Sequence, residues 1–191
     1  MKTPRLYHRP LSGIVWDKVG QREYPADIHR WDRGPETRGK TRIGNVFRGQ
    51  HRHTVDEKGR LSIPSKFREA LETAFEAPLF VTVMDNCLVA YPADEWRALE
   101  AKLNELSQFD ERVQRFRRVV YASAQECPLD KAGRILLPPI LRERAGLVRD
   151  VVIAGMARKF EIWDATRHEN MMEASLADLP GILKGVGEIG I

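Results

Sequence analysis

The sequence predicts an α+β fold in which two related β-rich units pack on each other as a pseudo-dimer within one chain, with helices linking them. Three observations carry that expectation. Asp56 to Glu69, DEKGRLSIPSKFRE, returns 74 residues later at Asp130 to Glu143 as DKAGRILLPPILRE, identical at six of fourteen positions. Each copy is followed by the same order of signals: a proline opening a short helix, two apolar strands around a turn, and a further helix. Each unit, of about 45 residues, is near the lower limit for burying a core by itself, so two units sharing one core solve what neither solves alone. Two copies are also too few for a solenoid, which needs about three.

From Val46 the elements follow in order. VFRGQHRHTV has the β-branched and aromatic residues of a strand. Asp56-Glu57-Lys58-Gly59 has the composition of a turn, in which Asp accepts from following amides and Gly takes positive φ. Arg60 to Ile63 resumes the alternation, with Leu61 and Ile63 on one face and Arg60 and Ser62 on the other. Pro64 opens a short helix, where its missing N–H costs nothing, and Phe67, Ala70 and Leu71 form the buried stripe. Leu79 to Tyr91 reads as a hairpin around Asp85-Asn86. Pro92 ends it, and ADEWRALEAKLNELS continues as an amphipathic helix with Trp96, Leu99, Leu103 and Leu106 in line. DERVQRFRRVVYASAQ reads as a second linker helix, with Val113, Phe116 and Val120 inward and Arg115 and Arg118 outward.

The second copy repeats this order. Its turn is Asp130-Lys131-Ala132-Gly133, its strand Arg134 to Leu137, and its helix starts at Pro138 with Leu141, Ala145 and Leu147 buried. A hairpin over Val151 to Trp163 and a trailing helix from Asp164 complete it, and the Gly-rich end after Leu179 is expected to be loose. The domains so drawn are an N-terminal extension over 1–45, a first unit over 50–97, a helical linker over 98–123, a second unit over 124–167, and a C-terminal helix and tail over 168–191.

Composition narrows the function. No run approaches the roughly 18 apolar residues of a membrane helix, and the start lacks the apolar stretch of a signal peptide, so a soluble intracellular protein is expected. Cys87 and Cys127 are too few for a disulfide framework or a CxxC metal site and read as semi-buried thiols. Net charge is +4, but residues 1–45 hold ten Lys/Arg against five Asp/Glu, leaving 21 basic and 22 acidic residues in the remainder. Any nucleic-acid face in the folded part is therefore a local patch. The first 45 residues show no sustained period and are expected to be disordered or weakly ordered, with phosphate gripping as the functional alternative.

The stretch VFRGQHRHTVDEKGRLSIPSKFR, the hairpin ending in CLVAYPADEW, and ASAQECPLDKAGRILLPPILRERAGL with KFEIWD closely resemble the MraZ family of bacterial transcriptional regulators, built from two SpoVT-AbrB-type domains. The resemblance covers about Val46 to Glu173, and both DxxxR elements, Asp56 to Arg60 and Asp130 to Arg134, stand at the family's separation. It implies tandem swapped-hairpin, AbrB-like β-barrel half-domains and a ring-shaped homo-oligomer. It also implies double-stranded DNA as partner, with repression at repeated promoter boxes upstream of the division and cell-wall gene cluster that includes the protein's own gene. A cytoplasmic, nucleoid-associated location follows, with no cofactor, membrane or small-molecule substrate. Family members usually begin Met-Phe-Arg-Gly where this chain has Val46-Phe47-Arg48-Gly49. Because a GTG codon read internally gives valine, Val46 is the expected start and 1–45 a translated leader.

The repeated turn supplies the chemistry. An Asp-x-x-Gly turn fixes the direction of the next residue, so Arg60 and Arg134 leave rigid strand starts on the polar face, where a planar guanidinium binds phosphate or the O6/N7 edge of guanine. Lys58 and Lys131 sit within the turns as phosphate partners, and Arg48, Arg52 and His53 lie on the preceding strand. These seven are the expected DNA contacts, and Asp56, Gly59, Asp130 and Gly133 shape the turns. The plainer alternative is that Asp56 and Arg60 merely staple the turn. A surface pair contributes only about 0–1 kcal/mol, too little to account for a pattern written twice. Arg68 and Arg142, with Glu69 and Glu143, are expected to brace the fold through ion pairs. Arg115, Arg117 and Arg118 are expected on a solvated face or an intersubunit contact. His51 and His53 share a strand face, but no further ligand stands near enough in sequence to make a metal site. Tyr91, Trp96 and Trp163 are expected in the core. Without a GxSxG, Walker A or HExxH element the chain is not expected to be an enzyme. A protein-interaction scaffold whose turns bind an acidic partner remains open beside the DNA-binding reading.

Overall fold

The computed structural model describes residues 46–188; the expectations placed on 1–45 and 189–191 lie outside that range. The first copy runs β1 (Gln50–Thr54), β2 (Arg60–Ser62), α1 (Ser65–Ala74), β3 (Leu79–Met84), β4 (Cys87–Pro92) and α2 (Ala93–Glu105). A linker of α3 (Glu111–Phe116) and a π-helical turn (Arg117–Tyr121) follows. The second copy runs β5 (Gln125–Cys127), β6 (Arg134–Leu136), α4 (Pro139–Ala145), β7 (Asp150–Met156), β8 (Lys159–Asp164), α5 (Ala165–Ala177) and α6 (Leu179–Glu188).

The two copies exchange their first strands. Hairpins β3–β4 and β7–β8 form locally, as short turns between apolar strands dictate. β1, however, pairs with β7 of the other copy, His51 opposite Ile153, and β5 pairs with β3, Leu79 opposite Cys127. Contact between β4 and β8 joins the hairpins into one antiparallel sheet ordered β1-β7-β8-β4-β3-β5. That sheet is open, with β1 and β5 at its edges, so the strand pairing does not close into the expected barrel. β2 and β6 form a separate two-stranded ribbon, one strand from each copy.

Side-chain alternation sends residues of the large sheet to both sides. Val81, Val83, Ala90, Ile153, Phe160 and Ile162 share a core with Leu61 and Ile135 of the ribbon, Phe67 of α1 and Leu141 of α4. On the other side, Val89, Tyr91 and Trp163 pack with Trp96 of α2 and the half-buried Met171 of α5. β4 lies between these layers and is buried along its whole length, reading CLVAYP where a one-sided strand would alternate. The short helices cross over as well. Phe67 of α1 sits 5.4 Å from Phe160 of the second hairpin, and α4 lies on β3 and β4.

Pro64 and Pro138 precede their helices as N-caps rather than occupying the first turn, and Phe67, Ala70, Leu71, Leu141, Ala145 and Leu147 are buried as their spacing predicts. The linker departs from the single helix expected through Gln125. After Phe116 the helix widens, with the Ala122 amide donating to the Arg117 carbonyl. The Val120 carbonyl accepts from the fully buried Thr82 hydroxyl on β3, and this satisfies a polar group shut away from the surface. The chain then straightens, and Gln125 begins β5. The Gly-rich end also differs: it is helical over α6, because Leu179, Ile182, Leu183 and Val186 recur at helical spacing and the glycines fall between them.

Two histidines carry a pH dependence. His168 is buried edge-on against Trp163, ring centroids 6.2 Å apart, and burial pushes its pKa down. His53 is half-buried on β1, and burial, followed by the charge of neighbouring His51, lowers its pKa as well. In each case the unfolded chain binds the extra proton, so stability is complete above the ordinary value of 6.5 and falls as pH drops below it. The depressed carboxylates Asp56 and Asp130 titrate only below their ordinary 3.8, outside that window. Thermal melts are expected to show a lower melting temperature at pH 5 than at pH 7.5. The drop should shrink in a His53→Gln, His168→Gln double variant; an undiminished drop would locate the titration elsewhere.

Candidate nucleic-acid interface

Each repeated turn is built by one carboxylate. Asp56 Oδ1 accepts from the Lys58 and Arg60 amides, both at 2.9 Å, and Oδ2 accepts from Arg60 Nε at 2.7 Å. Asp130 does the same with the Ala132 and Arg134 amides, at 2.9 Å each, and with Arg134 Nε at 2.9 Å and Nη2 at 2.8 Å. Those donated hydrogen bonds hold both carboxyls below their usual range. Gly59 and Gly133 close the turns at φ +81° and +71°, and their amides donate to the Asp56 and Asp130 carbonyls. A side chain at either glycine is excluded twice, by the backbone conformation and by what lies above it.

What lies above comes from the other copy. A Cβ on Gly59 would sit 2.9 Å from the Leu137 carbonyl oxygen and 3.1 Å from Arg142 Nε, and one on Gly133 would overlap the Arg68 side chain. Arg142 Nε donates to the Leu137 carbonyl at 3.2 Å, and Arg68 Nη1 donates to the Ala132 carbonyl at 3.1 Å. The expected bracing is therefore achieved through backbone acceptors. Among the described residues neither arginine pairs with Glu69 or Glu143. The two turns are further tied to the ribbon by Leu137 N donating to Gly59 O, at 2.8 Å, and Ile63 N donating to Gly133 O, at 3.0 Å.

Ribbon register decides what the turns display. Arg60 stands opposite Leu136 and Ser62 opposite Arg134, so all four share one face, while Leu61 and Ile135 fill the core from the other. The two arginines are diagonal neighbours, with Cα atoms about 7–8 Å apart. Their side chains are 35% and 36% exposed, so each is partly sheltered by its aspartate yet open to solvent. Lys58 and Lys131, both exposed, flank them from the turns.

The remaining candidates lie elsewhere. Arg52 leaves β1 on the opposite face from His51 and His53, facing α5, where it stands 4.0 Å from Glu169 while Gln50 reaches Met172. His51 packs edge-on to Phe67, 5.1 Å between centroids, and His53 shares its inward face. Arg48 precedes β1 at the end away from the turn, next to Gly49, whose carbonyl accepts from Gly155. At about 3.3 Å per residue it is roughly 25 Å along the strand from Asp56. Arg115 and Arg118 are exposed on the linker, and Arg117 donates to the Leu103 carbonyl at 2.6 Å. Cys87 and Cys127 are buried, and burial pushes their thiols up to about 12 and about 11, where they stay protonated and unreactive. Sequence reasoning missed Leu136: alternation within β6 puts it on the face of Arg134, and the pairing between strands 74 residues apart sets it opposite Arg60.

Comparison with known proteins agrees with the repeat. The family model "MraZ protein" matches twice, over residues 46–119 and 120–180. A protein of Syntrophobacter fumaroxidans named transcriptional regulator MraZ is 49% identical over 118 residues, 62% of this chain and 79% of the relative. Proteins of the same name from Acetivibrio thermocellus and Lactiplantibacillus plantarum are 44% and 42% identical, covering 72% and 69% of this chain and 99% and 91% of theirs. With two matched repeats spanning most of its length, and relatives aligned almost end to end, the chain belongs to the MraZ family.

Proposed function

We propose that this chain is a sequence-specific DNA-binding transcriptional regulator. The observation that carries this reading is the pair of Asp-held arginines set side by side on the outer face of a two-stranded ribbon. A two-stranded ribbon fits the major groove of B-DNA, and Asp engages the Nε side of each guanidinium, which leaves terminal N–H groups to meet guanine O6 and N7 or a phosphate. Lys58 and Lys131 contact the backbone on either side. Arg48, Arg52 and His53 would act only on DNA that wraps past the ribbon. The relatives' name, transcriptional regulator, agrees with this role.

The finer reading is a repressor that binds repeated boxes upstream of the division and cell-wall gene cluster, including its own gene. It acts in the cytoplasm, on the nucleoid, as a ring-shaped homo-oligomer with no catalytic activity. Its modules are two swapped-hairpin half-domains, 50–97 and 124–167, joined through 98–123 into a pseudo-dimer. The reciprocal pairing of β1 with β7 and β5 with β3 supports that architecture. One ribbon spans few base pairs, so a ring that presents many ribbons to repeated boxes gains affinity through effective concentration.

An anisotropy titration of the full chain against its own upstream DNA and a scrambled duplex tests the reading. Preference for the native duplex is expected, with Arg60→Ala or Arg134→Ala weakening it about 10- to 100-fold while light scattering shows an unchanged assembly. Equal weak binding to both duplexes would transfer the ribbon to a protein-interaction scaffold. Lys131→Ala is expected to weaken both duplexes alike and to reduce the slope of log K against log salt by about 1. A loss confined to the native duplex would show that Lys131 reads bases.

A further inference from the structure

The two ends of the ribbon are not chemically equivalent. Positions related by the 74-residue repeat are Ser62 and Leu136, Ser65 and Pro139, and Lys66 and Ile140, so the first copy is polar where the second is apolar. All but the half-buried Ser62 are exposed; Leu136 is 57% and Ile140 49% open. Strand exchange sorts these residues by end. Leu136 lies opposite Arg60, and α4 begins beside the first turn, its Arg142 covering Gly59. Ser62 lies opposite Arg134, and Ser65 of α1 lines a shallow cleft with Asp130 and Lys131. One end therefore shows Arg60 with leucine, and the other Arg134 with serine.

The exposed leucine takes no part in core packing. Its inward neighbours Ile135 and Leu137 are fully buried, whereas Leu136 points away from them with the arginines. On the major-groove edge, thymine is the base that displays a methyl group, while serine can hydrogen-bond to any base. Cβ atoms directly opposite across a ribbon are about 4.5–5.5 Å apart, so a base beside the one Arg60 contacts would be within reach of Leu136. Resting on the DNA-binding reading above, we propose that Leu136 is a specificity-determining residue that packs on the C5-methyl of a thymine beside the base bound by Arg60. Ser62 makes no such contact at the other end, so the ribbon reads its duplex with a fixed polarity.

The test uses a duplex enriched by the full chain from a randomised pool. Each dT is replaced in turn by dU, which removes one methyl and leaves every hydrogen-bonding group in place. For the wild-type chain, one such replacement is expected to weaken binding about 4-fold, the weight of one buried methyl group. Leu136→Ser should bind the dT and dU duplexes equally at that position, Leu136→Met should keep the difference, and Ser62→Ala should leave it unchanged. Methyl sensitivity that persists in Leu136→Ser, or is absent from every position of a specifically bound duplex, overturns the inference while the DNA-binding reading stands. Failure to enrich any duplex overturns both. A changed sedimentation mass of DNA-free Leu136→Ser would instead assign the leucine to a contact between copies and also overturn it. Exposure keeps Leu136 out of the core, so the substitutions should leave the melting temperature unchanged.

Discussion

The antiparallel pairing of β2 with β6 is the constraint on which the rest of the structure depends. These strands have three residues each, and neither belongs to the large sheet. Their inward residues, Leu61 and Ile135, are fully buried, and so are Ile63 and Leu137 just beyond them. Fully burying such a side chain stabilises the fold by about 1.5–3 kcal/mol. The ribbon can form only when the two copies meet, and its register then determines which side chains appear outside. A one-residue slip of either strand would turn its own arginine into the core and its own Leu61 or Ile135 into solvent. The burial that holds the copies together is thus the same interaction that sets the two arginines on one face.

Reciprocity extends beyond the ribbon. Arg142 from the second copy covers the first glycine turn, and Arg68 from the first copy covers the second. Each guanidinium donates to a backbone carbonyl, which avoids the entropy of pairing two long side chains at the surface. Glycine at the third position after each aspartate is then required by its partner copy as much as by its own φ. That cross-copy contact joins two of the six identical positions of the repeat, the glycine and the second arginine.

Most elements were legible locally. Phe67, Ala70 and Leu71 spelled α1, the apolar runs around Asp85-Asn86 spelled the first hairpin, and the repeated DxxGR placed both turns. What escaped was decided at long range. β5 is three residues, QEC, with two of them exposed, and only its pairing with β3 makes it a strand. The π-helical turn carries a long-range bond of the same kind, its Val120 carbonyl accepting from the Thr82 hydroxyl of β3. The candidate site divided along the same line: Arg60 and Arg134 follow from turn chemistry, whereas Arg48, Arg52 and His53 shared a strand in sequence and separated in space. Arg52 and His53 point to opposite faces because adjacent strand residues must. Leu136 shares the face of Arg134 by the same alternation, but its neighbour across the ribbon, Arg60, is set only by the long-range pairing.

Stability alone does not account for the aspartates. Each pair is about one-third exposed, and a surface ion pair contributes about 0–1 kcal/mol to folding. Immobilising a rotamer-rich side chain on binding costs about 0.5–1.5 kcal/mol, which a guanidinium already held by its aspartate has largely met before a ligand arrives. On the proposed reading, holding two arginines therefore contributes more to recognition than to the fold. It matters most in a domain with no general cationic field: the residues after 45 carry 21 basic and 22 acidic side chains. Such a surface gains little from long-range attraction to phosphate, so on the proposed reading its affinity has to come from short, oriented contacts. On the same reading, two forks set toward the groove, with a leucine at one end and a serine at the other, would supply orientation where net charge does not.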